Sequence, residues 1–158
     1  MNKINEKRRL VVKGAMAASA MGVVASTGFL IPRIVWAAWP AEAFATDKFD
    51  VAKNAITGGV APEASERVTV DAPDVAENGS QVPVEVTTDI ENVEKIVVLV
   101  EKNPRPMVAE YVLGQGCEAY VSVRIKVAES CPVTALVYAG GKIYSAQKSV
   151  KVAIGGCG

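Results

Sequence analysis

The sequence contains no histidine. A Ser-His-Asp or Cys-His arrangement is therefore impossible, because the side chain that most often serves as a general base is missing. The three cysteines, Cys117, Cys131 and Cys157, lack the close spacing of a zinc site or of a thioredoxin-type redox pair. No glycine-rich phosphate-binding loop precedes a predicted helix. We therefore predict no catalytic residue, no metal ligand and no cofactor in this chain.

The chain has no overall excess of charge, with 17 basic and 17 acidic residues, but the balance is uneven along its length. Residues 1–38 hold six of the basic residues and one of the acidic residues, so residues 39–158 carry 11 basic and 16 acidic side chains, a formal net charge of −5. Nucleic acids and anionic lipid surfaces bind clustered cationic charge. We therefore expect no nucleic-acid partner and, once the leader is removed, no membrane partner.

Residues 1–38 have the pattern of a cleaved bacterial export signal. A basic start is followed by an apolar stretch at residues 14–31, and the pair Arg8-Arg9 stands where a twin-arginine signal has its arginines. Small residues at 35 and 37 offer a cleavage site, and residues 43–45 offer a second. The alternative is an N-terminal membrane anchor, although a stretch of 18 residues is at the lower limit for spanning. The leader predicts a periplasmic location, reached through the twin-arginine pathway.

Residues 39–60 are predicted to be a helical segment with one amphipathic helix within residues 46–57. Apolar residues recur there at spacings of three and four, Asp47 can cap the helix start, and two glycines at 58 and 59 can end it.

From residue 66 onward, the hydrophobic period changes from that of a helix to that of strands. Apolar and polar residues alternate at 82–87 and at 121–127, which predicts half-buried strands. Residues 96–100 are apolar without alternation, which predicts a strand covered on both faces. Turn signals recur at short intervals, and Gly140-Gly141 occupies the position of a hairpin loop. The pattern predicts an antiparallel sandwich over residues 61–153.

The sequence ends in Gly155-Gly156-Cys157-Gly158, which places a thiol on a tether almost without side chains. Glycine adds no Cβ restriction and loses much entropy on ordering, so this end has little reason to pack against a domain. We predict a flexible arm over residues 154–158 that presents Cys157 to a partner. Residues 155–157 can extend roughly 10 Å, enough for the thiol to enter a cleft of another protein.

Cys117 and Cys131 allow two interpretations, because three cysteines cannot all pair within one chain. A bond between them is one, and two separate buried thiols are the other. Residues 118–127 form a single predicted strand whose ends would lie roughly 33 Å apart, far beyond the reach of a disulfide unless the strand bends. Cys157 is the unpaired cysteine in either interpretation.

Five stretches of the sequence resemble the SoxY family of bacterial thiosulfate oxidation. They are residues 154–158 (IGGCG), 141–146 (GKIYSA) with 151–152 (KV), 120–126 (YVSVRIK) and 39–44 (WPAEAF). The terminal Gly-Gly-Cys-Gly together with the twin-arginine leader is the most specific element. Two departures stand out: one glycine rather than two follows Cys157, and Cys117 and Cys131 are additional to the family's usual single cysteine.

The resemblance implies an immunoglobulin-like β-sandwich that acts as a covalent carrier rather than as an enzyme. Cys157 would be the sulfur attachment site, and Gly155, Gly156 and Gly158 would give the arm its reach. The constant partner would be SoxZ, in a heterodimer. Transient partners would be a haem-containing loading enzyme, a hydrolase that releases sulfate, and a sulfane dehydrogenase.

Two other functions are open from the residues alone. A thiol-disulfide relay would use Cys117 and Cys131 together with Cys157. A purely structural immunoglobulin-like export protein would need no terminal thiol at all.

Overall fold

Helices precede strands in the chain. The structure, a computed structural model, describes residues 40–154, and within that range it contains two helices and nine strands. The helices are α1 (Ala41–Ala45) and α2 (Phe49–Thr57). The strands are β1 (Glu63–Ala64), β2 (Val68–Asp71), β3 (Val75–Asn78), β4 (Val82–Thr88), β5 (Val93–Val100), β6 (Met107–Val112), β7 (Tyr120–Ile125), β8 (Cys131–Ala139) and β9 (Lys142–Ile154).

The helical segment differs from its prediction at its start. Helix α2 begins at Phe49 rather than near Thr46, and Asp47 is not its cap. The Thr46 hydroxyl accepts the Lys48 N–H at 3.1 Å, and this local turn keeps Asp47 and Lys48 outside the helix. Gly58 ends α2 in the left-handed conformation at φ 62°, as predicted. The additional helix α1 follows Pro40 and consists mostly of alanine, the residue with the highest helix propensity.

The strands form two facing sheets. The larger sheet has the order β1-β9-β8-β5-β6, with β3 also paired to β9, and the smaller has the order β2-β4-β7. These sheets and the short N-terminal helices confirm the predicted mainly β, immunoglobulin-like sandwich. Two pairings are exceptions to its antiparallel character, because β1 and β3 each run parallel to β9.

The core between the sheets comes from the alternating strands. Val82, Val84 and Val86 of β4 are fully buried against the larger sheet, and Pro83 and Thr87 on the opposite face of that strand are exposed. The hairpin from β8 to β9 turns at Gly140-Gly141 as predicted, with φ values of 57° and 74°. Two consecutive positive φ values match a two-residue hairpin loop that favours glycine.

The outer face of the larger sheet is covered by the helices. Strand β5 is buried on both faces, because Ile96 and Val98 point between the sheets whereas Val97 and Leu99 pack under the helices. The Tyr138 hydroxyl donates to the carbonyl of Ile56 at 2.9 Å and ties the end of α2 to β8. The burial of β5 on both faces confirms the prediction for residues 96–100. Among the described residues, neither helix has the length and apolarity to cross a membrane.

Candidate functional site

Strand β9 leads toward the predicted carrier arm, and the strand finishes at one end of the sandwich. We call this the arm end and define it by Ile154, Asn78, Ser130 and Asn103. Ile154 pairs with Asn78 at the close of β3, and the loop that carries Ser130 runs beside β9. Strand β9 includes Ile154, where the sequence interpretation begins the arm. Cys157, its neighbours Gly155, Gly156 and Gly158, and the export arginines Arg8 and Arg9 lie outside the described residues.

Cys131 lies at the arm end, at the start of β8. Its side chain belongs to the core between the sheets and is 6% exposed. Burial raises the pKa of the Cys131 thiol, and this effect outweighs a hydrogen bond from the backbone of Lys102. A buried thiol that resists ionisation is a poor nucleophile. Cys131 is therefore a packing residue in this fold.

Cys117 lies at the opposite end of the sandwich, which we call the far end. It is exposed in the loop between β6 and β7, where its N–H donates to the Gly114 carbonyl at 3.2 Å. The same loop is fixed to the start of β5, because the Leu113 N–H donates to the Glu94 carbonyl at 2.9 Å. The interpretation with two buried thiols is thus wrong for Cys117, which sits in an exposed turn.

Cys117 and Cys131 are both free thiols. Strand β5 connects the neighbourhoods of the two cysteines: Glu94 lies beside Cys117, and Val100 lies beside the start of β8. The distance from Glu94 to Val100 is about 20 Å at roughly 3.3 Å per residue, about three times the reach of a disulfide. Of the two interpretations, the structure therefore supports separate thiols, but the reason given from the sequence is wrong: β7 covers only Tyr120–Ile125, and the separation comes from the cysteines lying at opposite ends of the larger sheet.

A cleft of about 650 Å³ opens at the far end beside Cys117. Three carboxylates line it, from Asp89, Glu91 and Glu94. Thiosulfate and its derivatives are anions, and three carboxylates repel them. The cleft therefore does not suit the anionic sulfur species that the family resemblance implies. In the described part of the chain, no group of three acidic or cysteine side chains is placed to hold a metal ion.

Two side chains at the arm end were not singled out from the sequence. Asn103 is 7% exposed, and its amide joins two loops: Nδ2 donates to the Lys126 carbonyl at 2.7 Å, and Oδ1 accepts the Ala128 N–H at 2.8 Å. Ser130 accepts the Val152 N–H of β9 at 2.8 Å. Both residues stand in segments that the sequence identifies only as turns, and no local pattern reveals a bond across 22 or more positions.

A protein-family model described as sulfur oxidation protein SoxY matches residues 53–157. The chain belongs to the SoxY family. Among solved structures, it is similar to the sulfur carrier protein SoxY from Chlorobium limicola f thiosulfatophilum, with 36% sequence identity and a TM-score of 0.60. That match covers 68% of this chain and 97% of the other. No curated protein matches this SoxY-family sequence.

More distant structural similarity extends beyond the SoxY family. A superoxide reductase (neelaredoxin) from Ignicoccus hospitalis has 18% identity and a TM-score of 0.48, with 55% of this chain and 80% of that chain covered. The reeler domain of human F-spondin has 11% identity and a TM-score of 0.33, with 56% of this chain and 92% of that chain covered.

Alkylation should distinguish the two described thiols of this SoxY-family protein. We expect iodoacetamide at neutral pH to modify Cys117 in the folded protein and to leave Cys131 unmodified, because Cys117 is exposed and Cys131 is buried with a raised pKa. Peptide mass spectrometry before and after denaturation measures this directly. Modification of Cys131 at the rate of Cys117 in the native protein would contradict the packing described for β8.

Proposed function

We propose that this protein is a periplasmic sulfur carrier that holds intermediates of thiosulfate oxidation as covalent adducts on Cys157. The observation that carries the proposal is the extent of the family match, which runs to residue 157 and so includes this cysteine. The related structure from Chlorobium limicola is that of a sulfur carrier protein. Strand β9, hydrogen-bonded as far as Ile154, supports the proposal because it gives the arm a firm base three residues before the thiol.

The chemistry of loading is an oxidative coupling of two sulfur atoms. The Cys157 thiol and thiosulfate form a sulfur–sulfur bond, and one proton and two electrons leave: R–SH + S₂O₃²⁻ → R–S–S–SO₃⁻ + H⁺ + 2e⁻. A haem-containing partner enzyme takes the electrons. Water then cleaves the bond to the sulfone group, which releases sulfate and a proton and leaves a persulfide on Cys157. A further partner oxidises this sulfane sulfur while it is attached.

The carrier itself contributes a thiol, a tether and a folded body, and its partners contribute catalysis. The absence of histidine supports this division, because proton transfer near neutral pH then falls to the partner enzymes. The proposed partners are SoxZ as a stable subunit and three enzymes in transient contact, namely the loading enzyme, the sulfate-releasing hydrolase and the sulfane dehydrogenase. Export through the twin-arginine pathway, directed by Arg8 and Arg9 in a leader over residues 1–38, would bring the protein to the periplasm.

The arrangement of the cysteines does not favour the alternative of a thiol-disulfide relay. Cys117 lies level with the start of β9. The end of that strand, at Ile154, lies about 30–40 Å from its start at roughly 3.3 Å per residue. Residues 155–157 add about 10 Å of reach. Cys157 therefore falls well short of Cys117 in the same chain, and Cys131 is enclosed in the core.

The mass of the arm peptide tests the proposed function. Protein purified from cells grown on thiosulfate is digested with trypsin, which cuts after Lys151 and releases residues 152–158. We expect this peptide to carry an additional sulfur atom or a thiosulfonate group that a reducing agent removes, and the Cys117 peptide to carry neither. A bare Cys157 thiol accompanied by modification of Cys117 would refute the carrier proposal in favour of a relay.

A further inference from the structure

The last residues of β9 lose one of their two strand neighbours before the arm begins. Strand β8 pairs with β9 only as far as Cys131, which lies opposite Val150. Beyond that point, the strand neighbour of β9 is β3, which runs parallel to it and pairs with Val152 and Ile154. Parallel pairing is slightly weaker per residue than antiparallel pairing, and a two-stranded ribbon is marginal by itself. Val152 is partly buried against the core, and a further tie to the sandwich would strengthen the base of the arm.

Ser130 supplies such a tie from the side on which β8 has ended. Lys151 donates its N–H to the Asp74 carbonyl on the β3 side at 2.9 Å, so the N–H of Val152 points to the opposite side. Continued pairing with β8 would place residue 129 there, but the chain has already turned away. The Ser130 hydroxyl accepts the Val152 N–H instead, at 2.8 Å, and replaces the backbone carbonyl that a longer β8 would have offered.

The loop that carries Ser130 is itself held on both sides. The buried amide of Asn103 bonds the loop at Lys126 and Ala128, as described above. Between these two residues, Val127 is fully buried and donates its N–H to the Gly79 carbonyl at 2.7 Å. A hydroxyl on a loop fixed at three consecutive residues is a rigid acceptor, so the bond to Val152 ties the end of β9 to the body of the sandwich.

We propose that Ser130 is a positioning residue for the carrier arm: it fixes the point at which the arm leaves the sandwich. This inference rests on the function proposed for Cys157. With Ser130 in place, the tether that carries the thiol consists of residues 155–157; detachment of residues 152–154 would lengthen it to six residues. Effective concentration falls about as the −3/2 power of tether length, so doubling the length lowers it roughly threefold.

The kinetics of loading separate positioning from a merely structural contribution. If the partner enzyme docks on the folded sandwich, from whose surface Ser130→Ala removes a single hydroxyl, the KM for the carrier should stay constant. The thiol then has to find the active site from a longer tether, so kcat for loading should fall roughly threefold. Hydrogen exchange at Lys151 and Ala153, whose N–H groups face β3, should become faster as the ribbon frays.

The experiment uses the carrier in whatever complex it purifies with. Thiosulfate and a soluble extract from a strain that lacks this protein are supplied, and the loaded fraction of the peptide of residues 152–158 is measured over a range of carrier concentrations. Ser130→Thr retains a hydroxyl and should restore wild-type kcat and exchange. Ser149→Ala is the matched control, because it removes an exposed hydroxyl from β9 itself and should change neither readout.

The outcomes distinguish this inference from the function on which it rests. If wild-type protein takes up no sulfur on Cys157, the proposed function fails and the positioning role fails with it. If wild-type protein is loaded and Ser130→Ala matches it in kcat and in exchange at Lys151, the positioning role alone is refuted. A threefold loss in kcat at constant KM, restored by Ser130→Thr, supports the positioning role.

Discussion

Cys157→Ser should reduce thiosulfate-dependent sulfur loading to an undetectable level. The serine hydroxyl has nearly the same size as the thiol, but it does not form the sulfur–sulfur bond on which every later step of the proposed cycle depends. Because serine and cysteine are so close in size, we expect the thermal unfolding midpoint to stay at the wild-type value. The loaded fraction of the arm peptide and thiosulfate consumption by the mutant cells are the two measurements.

Cys117→Ser is the matched control for that experiment. It replaces an exposed thiol in a loop at the far end of the sandwich, and it should leave loading and thiosulfate consumption unchanged. Equal loss of activity in the two variants would establish a relay in which Cys117 takes part between molecules. Full thiosulfate consumption in Cys157→Ser would instead favour a structural role for this immunoglobulin-like protein.

The strands that follow a local rule were predictable from the sequence. Alternation in β4 has a physical cause, because one face of that strand meets the larger sheet and the other meets water. The unbroken apolar run in β5 also has a local signature, since both of its faces are buried. The turn at Gly140-Gly141 requires positive φ at two successive positions, and glycine meets that requirement at little cost.

The partners of β9 were not predictable, because they depend on contacts between distant parts of the chain. Strands β1 and β3 have four residues or fewer and are mostly exposed, so their sequences carry little hydrophobic pattern. Each becomes a strand only because β9 offers it an open edge, in register with Tyr144 for β1 and with Lys151 for β3. Tertiary pairing, rather than local propensity, determines these two elements.

The candidate site likewise has one part that the sequence could suggest and another part that it could not. Cys157 and its glycines could be proposed as a carrier site from sequence, because a thiol among glycines is a local feature with a direct chemical meaning. Ser130 could not, since its role depends on where β8 ends relative to β9. The length of one predicted strand favoured separation of Cys117 from Cys131 without deciding it, whereas in the fold the two lie at opposite ends of the larger sheet.

Leu136→Ala should destabilise the fold by about 2–5 kcal/mol, the cost of removing a large buried aliphatic side chain and leaving a cavity. Leu136 is fully buried on the face of β8 that the helices cover, in a cluster with Ala52, Ile56 and Leu99. Alanine at two of the neighbouring helix positions, Ala43 and Ala52, leaves little side-chain volume that could move into the space. Urea unfolding of the purified protein measures the loss.

Val51→Ala on helix α2 serves as the control for Leu136→Ala. Val51 is 47% exposed, and its change should alter the free energy of unfolding by no more than about 0.5 kcal/mol. The comparison tests whether the helices form a real layer of the fold, because only a covered sheet face makes position 136 so much costlier than an exposed helix position. If the two variants unfold alike, α1 and α2 do not close the outer face of the larger sheet in solution. The arm end would be unaffected in either case, since Leu136 lies on the face of the sheet that points away from the core holding Cys131 and Val150.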